Sequence, residues 1–267
     1  MRAALFALAA ILLLGLIAPY LAPYDPSDFS FTPFESPSLK HPFGINDGGM
    51  DIFSEWLYAY RNAILFGLSV ASLGVILALL VGILSALWGG WFDWLMLRVG
   101  DLLLALPNLL LLILIAAFFQ PSSWLLALLL ALLSFPLGAR VIRAQARITR
   151  SSLHVVAASQ MGGGSLYLAY RHLLPELLPL ALLGALGRFK GAIIAQTTLA
   201  FLGLLSPMEK SLGMMIRQAM GFYYLEGFIY WILPPILLLW LLISAFALAL
   251  FRVEERLNPR LKGAQLA

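Results

Sequence analysis

The side chains with chemistry to offer are few and scattered. His41, His154 and His172 are the only histidines, and cysteine is absent. Without thiolates, and with the histidines far apart in the chain, neither a disulfide framework nor a metal site is expected. The zinc motif HExxH, the nucleophile elbow GxSxG and the phosphate loop GxxxxGK[ST] do not occur. Gly162-Gly163-Gly164 is followed by Ser165 and Leu166, which makes it a helix stop and not a nucleotide cradle. No long apolar run has a carboxylate at its centre, so the group a proton-driven carrier uses is missing. No catalytic residue is expected, and no cofactor bound by this chain.

What remains are groups suited to binding. Arg188 and Lys190 interrupt an apolar run, where a cation costs roughly 2.5–3.5 kcal/mol at mid-membrane. Such a cation faces a water path or snorkels to the surface. On the first alternative Arg188, Lys190 and the nearby Gln196 line a solute path, and the cations attract a substrate carboxylate. Asp47, Asp51 and Glu55 would suit a basic patch on an outside partner; a solvated loop is the plainer alternative. Met208, Met214, Met215 and Met220 read as adaptable packing, not as soft-metal ligands.

The elements that must position these groups are membrane helices. Of 267 residues, 62% are hydrophobic and 11% charged, far below the usual quarter of charged residues in a soluble domain. The apolar runs are continuous, as in helical spans, and do not alternate as in a barrel. Six spans are expected. Residues 3–22 form the first; Pro23 is a poor context for signal cleavage. Residues 62–92 form the second. Residues 102–139 carry no charge and are too long for one crossing, so Gln120-Pro121-Ser122-Ser123 is read as the turn between the third and fourth. Residues 177–205 and 231–251 give the fifth and sixth. The organisation is thus a first membrane helix (1–24), an extracytoplasmic loop (25–61), a five-helix core (62–251) with a cytoplasmic loop (143–176), and a cytoplasmic tail (252–267). On this topology eleven Lys and Arg lie inside, four outside and two within the fifth span, which puts both termini in the cytoplasm. Arg140, Arg143, Arg147 and Arg150 read as anchors of the inner face, with contact to an acidic partner rim as the lesser reading.

Residues 151–175 organise the inner side. They read as two short helices broken by glycine. Ser151 or Ser152 can cap the first and Ser165 the second, and Pro175 ends that second helix or starts the next element. Ala157 and Ala158 give the first helix a small-residue face that another protein can approach closely.

These stretches resemble a known family, the permeases of binding-protein-dependent ABC importers. The loop reads Val155-Val156-Ala157-Ala158, then Gly162, then His172-Leu173-Leu174-Pro175, which is similar to the family's V-E-A-A-x-x-x-G and H-x-L-P. In the outer loop His41, Pro42, Phe43, Gly44, Gly49, Asp51, Ser54, Tyr58 and Arg61 match the block of the dipeptide/oligopeptide/nickel group, C-type subunit. Leu199, Phe201, Leu202, Gly203 and Leu204 match its E-A-S-L-S-F-L-G-L-G run, Gly213-Met214-Met215 sits where W-G-x-M is expected, and Asn258-Pro259-Arg260 resembles the terminal D-P-R. Val156, Ser159, Asn46, Met50, Gln196 and Leu212 depart from the pattern, mostly by losing charge or an aromatic ring.

The resemblance implies an all-α integral membrane protein of six transmembrane helices, like a type I ABC importer permease, in a prokaryotic inner membrane. It implies import of di- or oligopeptides, or of a related small solute such as nickel, by alternating access. Leu153, Val155, Ala157, Ala158, Met161, Gly162 and Gly163 would form the coupling helix that docks on an ATPase. ATP and Mg would sit on two partner ATPase subunits; a second homologous permease and an extracytoplasmic substrate-binding protein would complete the importer. The competing class is a secondary transporter or channel that needs no ATPase.

Overall fold

The computed structural model describes residues 2–206, 208–225 and 227–257. The Asn258-Pro259-Arg260 match and the tail basic residues Arg260 and Lys262 lie outside the described residues. Within them the chain is helical, with no named strand. Helix α1 (Arg2–Ile17) runs into a short 3-10 turn, and an irregular loop leads to α2 (Ile52–Trp88). Then follow α3 (Gly90–Ala105), α4 (Asn108–Phe119), α5 (Ser123–Arg150), α6 (Leu153–Gln160), α7 (Ser165–Leu168) with a π-helical turn, α8 (Leu174–Phe201), α9 (Leu212–Met220) and α10 (Phe228–Leu257).

The membrane-helix expectation holds, with changed boundaries. Four helices are long and apolar enough to cross a bilayer: α2, α5, the α7–α8 unit and α10. α3 and α4 are apolar enough for a span only when taken together, and they meet at 73°, because Pro107 removes a donor and disfavours helix in the residue before it. The apolar α1 is shorter than these spans. The described helices therefore give up to five spans by length and composition, with the shorter α1 in the place of the expected first span.

α2 is the mast of the bundle. At about 1.5 Å per residue its 37 residues reach beyond a hydrocarbon core of about 30 Å. Its buried small residues recur near helical spacing at Ala59, Ala63, Gly67, Ala71, Gly74, Ala78, Gly82 and Ala86. Lipid tails are as apolar as leucine, so helices in a bilayer associate by close packing, and small residues permit it. A β-carbon on Gly67 would stand 2.7 Å from the Phe189 ring of α8, and one on Gly82 would stand 2.7 Å from Ile142 of α5. Phe189 in turn stacks on Phe246 of α10 at 3.7 Å. α1 lies against α2 and α10, where the Tyr60 hydroxyl donates to the Ile11 carbonyl at 2.5 Å.

Two expected loops are structured. α2 begins at Ile52 and not at residue 62, so Asp51 and Glu55 belong to its start. The segment read as a mixed outer loop after the fifth span contains α9, which packs on α8 and α10. Gly213 makes that contact possible: a side chain there would collide with the Thr197 carbonyl and stand 2.9 Å from Ala200. The FLG run has a local cause as well. Gly203, at φ +76°, ends α8, with its N–H donating to Ala200 and that of Leu204 to Leu199, both at 2.9 Å.

Candidate functional site

Between α2, α4, α5 and α8 lies a cavity of about 580 Å³. Its wall is apolar except for Arg188, Asn108 and Ser134. Of the three residues expected on a solute path, Arg188 alone lines it. Gln196 is buried on another side of α8, and Lys190 is half-buried and outside the lining. Thr198 donates to the Ile194 carbonyl of its own helix at 2.8 Å. The Arg188 side chain is directed into the helix bundle. It lies against Gly74, Gly138 and Gly184, where added β-carbons would meet it at 2.8 Å or closer. Gly74 and Gly138 are near the midpoints of α2 and α5.

The sequence reading missed Asn108. It is the first residue of α4, and its Oδ1 is buried without a hydrogen-bond partner among the described residues, as is Arg188 Nε. A signal was present: a lone amide after a proline in an otherwise apolar run.

At one end of the bundle α6 and α7 form the expected knob. Ser152 occupies the N-cap position of α6 as expected, but its hydroxyl donates to the Thr149 carbonyl at 2.6 Å and caps no amide. α6 ends in a left-handed stop. Gly162 has φ +92°, its N–H donates to Ser159 at 3.1 Å, and that of Gly163 donates to Ala158 at 3.0 Å. A β-carbon on Gly163 would lie 2.7 Å from the Ala158 carbonyl. Gly164 takes the cap position of α7 that was expected of Ser165, and Pro175 starts α8.

The seven coupling candidates divide into three sets. Val155 is 1% exposed and packs with Ile83, Ile142, Leu173 and Leu177, so it is an anchor within the chain and offers no contact to a partner. Ala157, Ala158 and Gly163 are half-buried, whereas Leu153 (86%), Met161 (88%) and Gly162 face outward. The outward face is thus made of large apolar side chains beside the alanines, with Val156, Leu166 and Tyr170 also exposed. His154 Nε2 approaches Glu176 at 3.0 Å and ties α6 to α8. The imidazoles of His154 and His172 come within 5.8 Å of each other, although no group of three metal-ligating side chains forms among the described residues.

The arginines near this end do more than anchor a surface. Arg143 and Arg147 of α5 both hold Asp93 of α3, Arg143 through Nε and Nη2 and Arg147 at 2.7 Å. Arg140 pairs with Asp101. Arg150 donates to the carbonyls of Ala86 and Leu87 at 2.6 and 2.9 Å, where the last turn of α2 leaves acceptors free. The set clamps α3 and α5 to the end of α2.

At the opposite end the expected partner-facing acids turn inward. Asp51 is 0% exposed: one oxygen takes the Ser54 amide and hydroxyl at 2.8 and 2.7 Å, capping α2, and the other meets His41 Nδ1 at 3.0 Å. Glu55 is 1% exposed and accepts from Asn46 at 2.7 Å and from Lys210 at 2.6 Å. Neither presents a surface to a partner; of the three acids, only Asp47 is exposed. The physical reason is that a carboxylate at a helix start is more stable with buried donors than a bare amide end would be.

The family model for "binding-protein-dependent transport system inner membrane component" matches residues 52–263. The chain is 32% identical over 273 residues to the dipeptide transport system permease protein DppC of Haemophilus influenzae, covering 98% of this chain and 92% of that protein. It is 35% identical over 267 residues to a putative peptide transport system permease protein of Brucella suis, covering 98% and 88%. A putative peptide permease protein of Brucella ovis is 34% identical over 239 residues, covering 87% of this chain and 79% of its own. The likeness read from the sequence motifs and the helical membrane architecture agree with these matches.

Proposed function

Since the chain belongs to the family of binding-protein-dependent transport system inner membrane components, we propose that it is the membrane-spanning subunit of an ATP-driven importer of short peptides. The named relatives support the peptide substrate. In this reading the chain works beside a second permease, two cytoplasmic ATPase subunits that hold ATP and Mg, and an extracytoplasmic binding protein that delivers the solute. Both termini and α6 face the cytoplasm, and the loop end faces outward. The cavity is part of the solute path.

The observation that carries the reading is the geometry of α6. One face is pinned to the bundle through Val155, and the other holds Leu153 and Met161 almost fully exposed. Large apolar side chains so presented are the anchors of a protein interface. Movement of a docked ATPase would reach α8 through the α6–α7 unit as rigid-body displacement, because the Gly162 stop and the His154–Glu176 contact fix the knob. Gly162→Pro and Ala158→Glu are expected to reduce uptake in the reconstituted importer to below about a tenth, while the chain still inserts and ATP hydrolysis no longer follows substrate. Normal uptake by both variants refutes the assignment.

A further inference from the structure

We propose that Arg188 and Asn108 read the polar ends of the solute inside the cavity, Arg188 taking the free C-terminal carboxylate of a short peptide. This rests on the peptide-importer reading above and names the chemistry of its path.

Three observations converge. The cavity, about 580 Å³, falls in the range of about 300–1,000 Å³ usual for small-molecule sites. Its wall carries a single charged side chain and no carboxylate, so the cation of Arg188 finds no counter-charge there. A buried cation is ordinarily paired, and a buried polar atom is ordinarily hydrogen-bonded. Here Arg188 Nε and Asn108 Oδ1 both lack a protein partner among the described residues. Third, the position of Arg188 is built. Glycines on α2, α5 and α8 leave room for its side chain near mid-height of the bundle, where larger residues would collide with it.

The ligand that completes this wall is anionic at one point, offers an amide or ammonium N–H at another, and is apolar between them. A short peptide with small or apolar side chains has that form. The planar fork of a guanidinium matches the two oxygens of a carboxylate, and the Asn108 amide accepts from a peptide N–H or an N-terminal ammonium. Ser134, whose hydroxyl donates to the Ala131 carbonyl at 3.4 Å, keeps its lone pairs for the same purpose.

The test is uptake of trialanine and of its C-terminal amide by the complete importer in proteoliposomes, with binding protein outside and ATP inside. Arg188→Gln is expected to slow trialanine uptake about tenfold or more, the scale of one lost charge-assisted hydrogen bond. Arg188→Lys recovers part of it, and Asn108→Leu costs about threefold. Uptake of the amide by Arg188→Gln stays within about twofold of the unsubstituted importer. If the binding protein delivers no amide, rescue by lysine decides alone. Unchanged trialanine uptake, equal losses for acid and amide, or a lysine variant no better than glutamine overturns the proposal. Separation of the two permeases on Arg188→Gln also overturns it, since the cation then pairs with the second subunit. Failure of the underlying reading looks different: the unsubstituted importer itself moves no peptide.

Discussion

The two ends of the bundle solve opposite problems. At the loop end two carboxylates are inside: Asp51 and Glu55 are buried, each with both carboxylate oxygens engaged, and Lys210 closes the network from the segment before α9. At the α6 end the cations are bound in pairs near the surface, and it is apolar side chains that stand out, Leu153 and Met161 foremost. The first arrangement completes itself within one chain, since the polar groups that burial would leave unsatisfied find their partners there. The second leaves Leu153 and Met161 uncovered among the described residues, and such surface is more stable once it is removed from water. On the proposed function, the paired buried charges stiffen the mouth that receives solute, and the apolar face of α6 receives force from the ATPase.

The comparison breaks most directly at Lys210. Lys210→Ala leaves Glu55 as an unpaired buried carboxylate, and a stability loss of about 3–5 kcal/mol is expected. Thermal unfolding in detergent measures it, and the double variant Glu55→Gln with Lys210→Met should regain most of the loss. If the single variant unfolds like the parent, the loop end is not held by this network. The α6 end should respond in the reverse sense. Leu153→Asp is expected to change the unfolding temperature little, within about 0.5 kcal/mol, while the permease no longer retains its ATPase in pull-down. A variant that keeps its ATPase shows that the exposed leucine is not an anchor. The smallest effect belongs to His154→Ala. It removes a solvent-exposed contact with Glu176, worth under about 1 kcal/mol in stability, and lowers transport only to the extent that the knob must be tied to α8.

Much of the fold was legible because its causes are local. Continuous apolar runs fix the long helices, and the Gly162 stop follows from glycine's access to positive φ; the break at Pro107 is equally local, but the sequence reading passed over it. The candidate site was legible only in part. Arg188 drew notice as a cation in an apolar run, whereas Lys190, two residues further on, carries the same charge but lies outside the cavity lining. The choice between them depends on which face of α8 meets Gly74 and Gly138. Asp51 and Glu55 looked like surface acids because Lys210 is 155 residues from Glu55 and nothing near it in sequence announces the pairing. Val155 looked like part of a contact face, although its companions come from α2, α5 and α8.

By itself the sequence determined that this chain is a bundle of membrane helices with a glycine-stopped knob between two of them, because helix length, apolarity and backbone stops are properties of neighbouring residues. Only the tertiary structure decided which charges are buried, which apolar side chains stay out, and that one arginine faces a largely apolar cavity beside an amide oxygen with no hydrogen-bond partner among the described residues. Burial and pairing are relations between segments far apart in the chain, and packing alone brings those segments together.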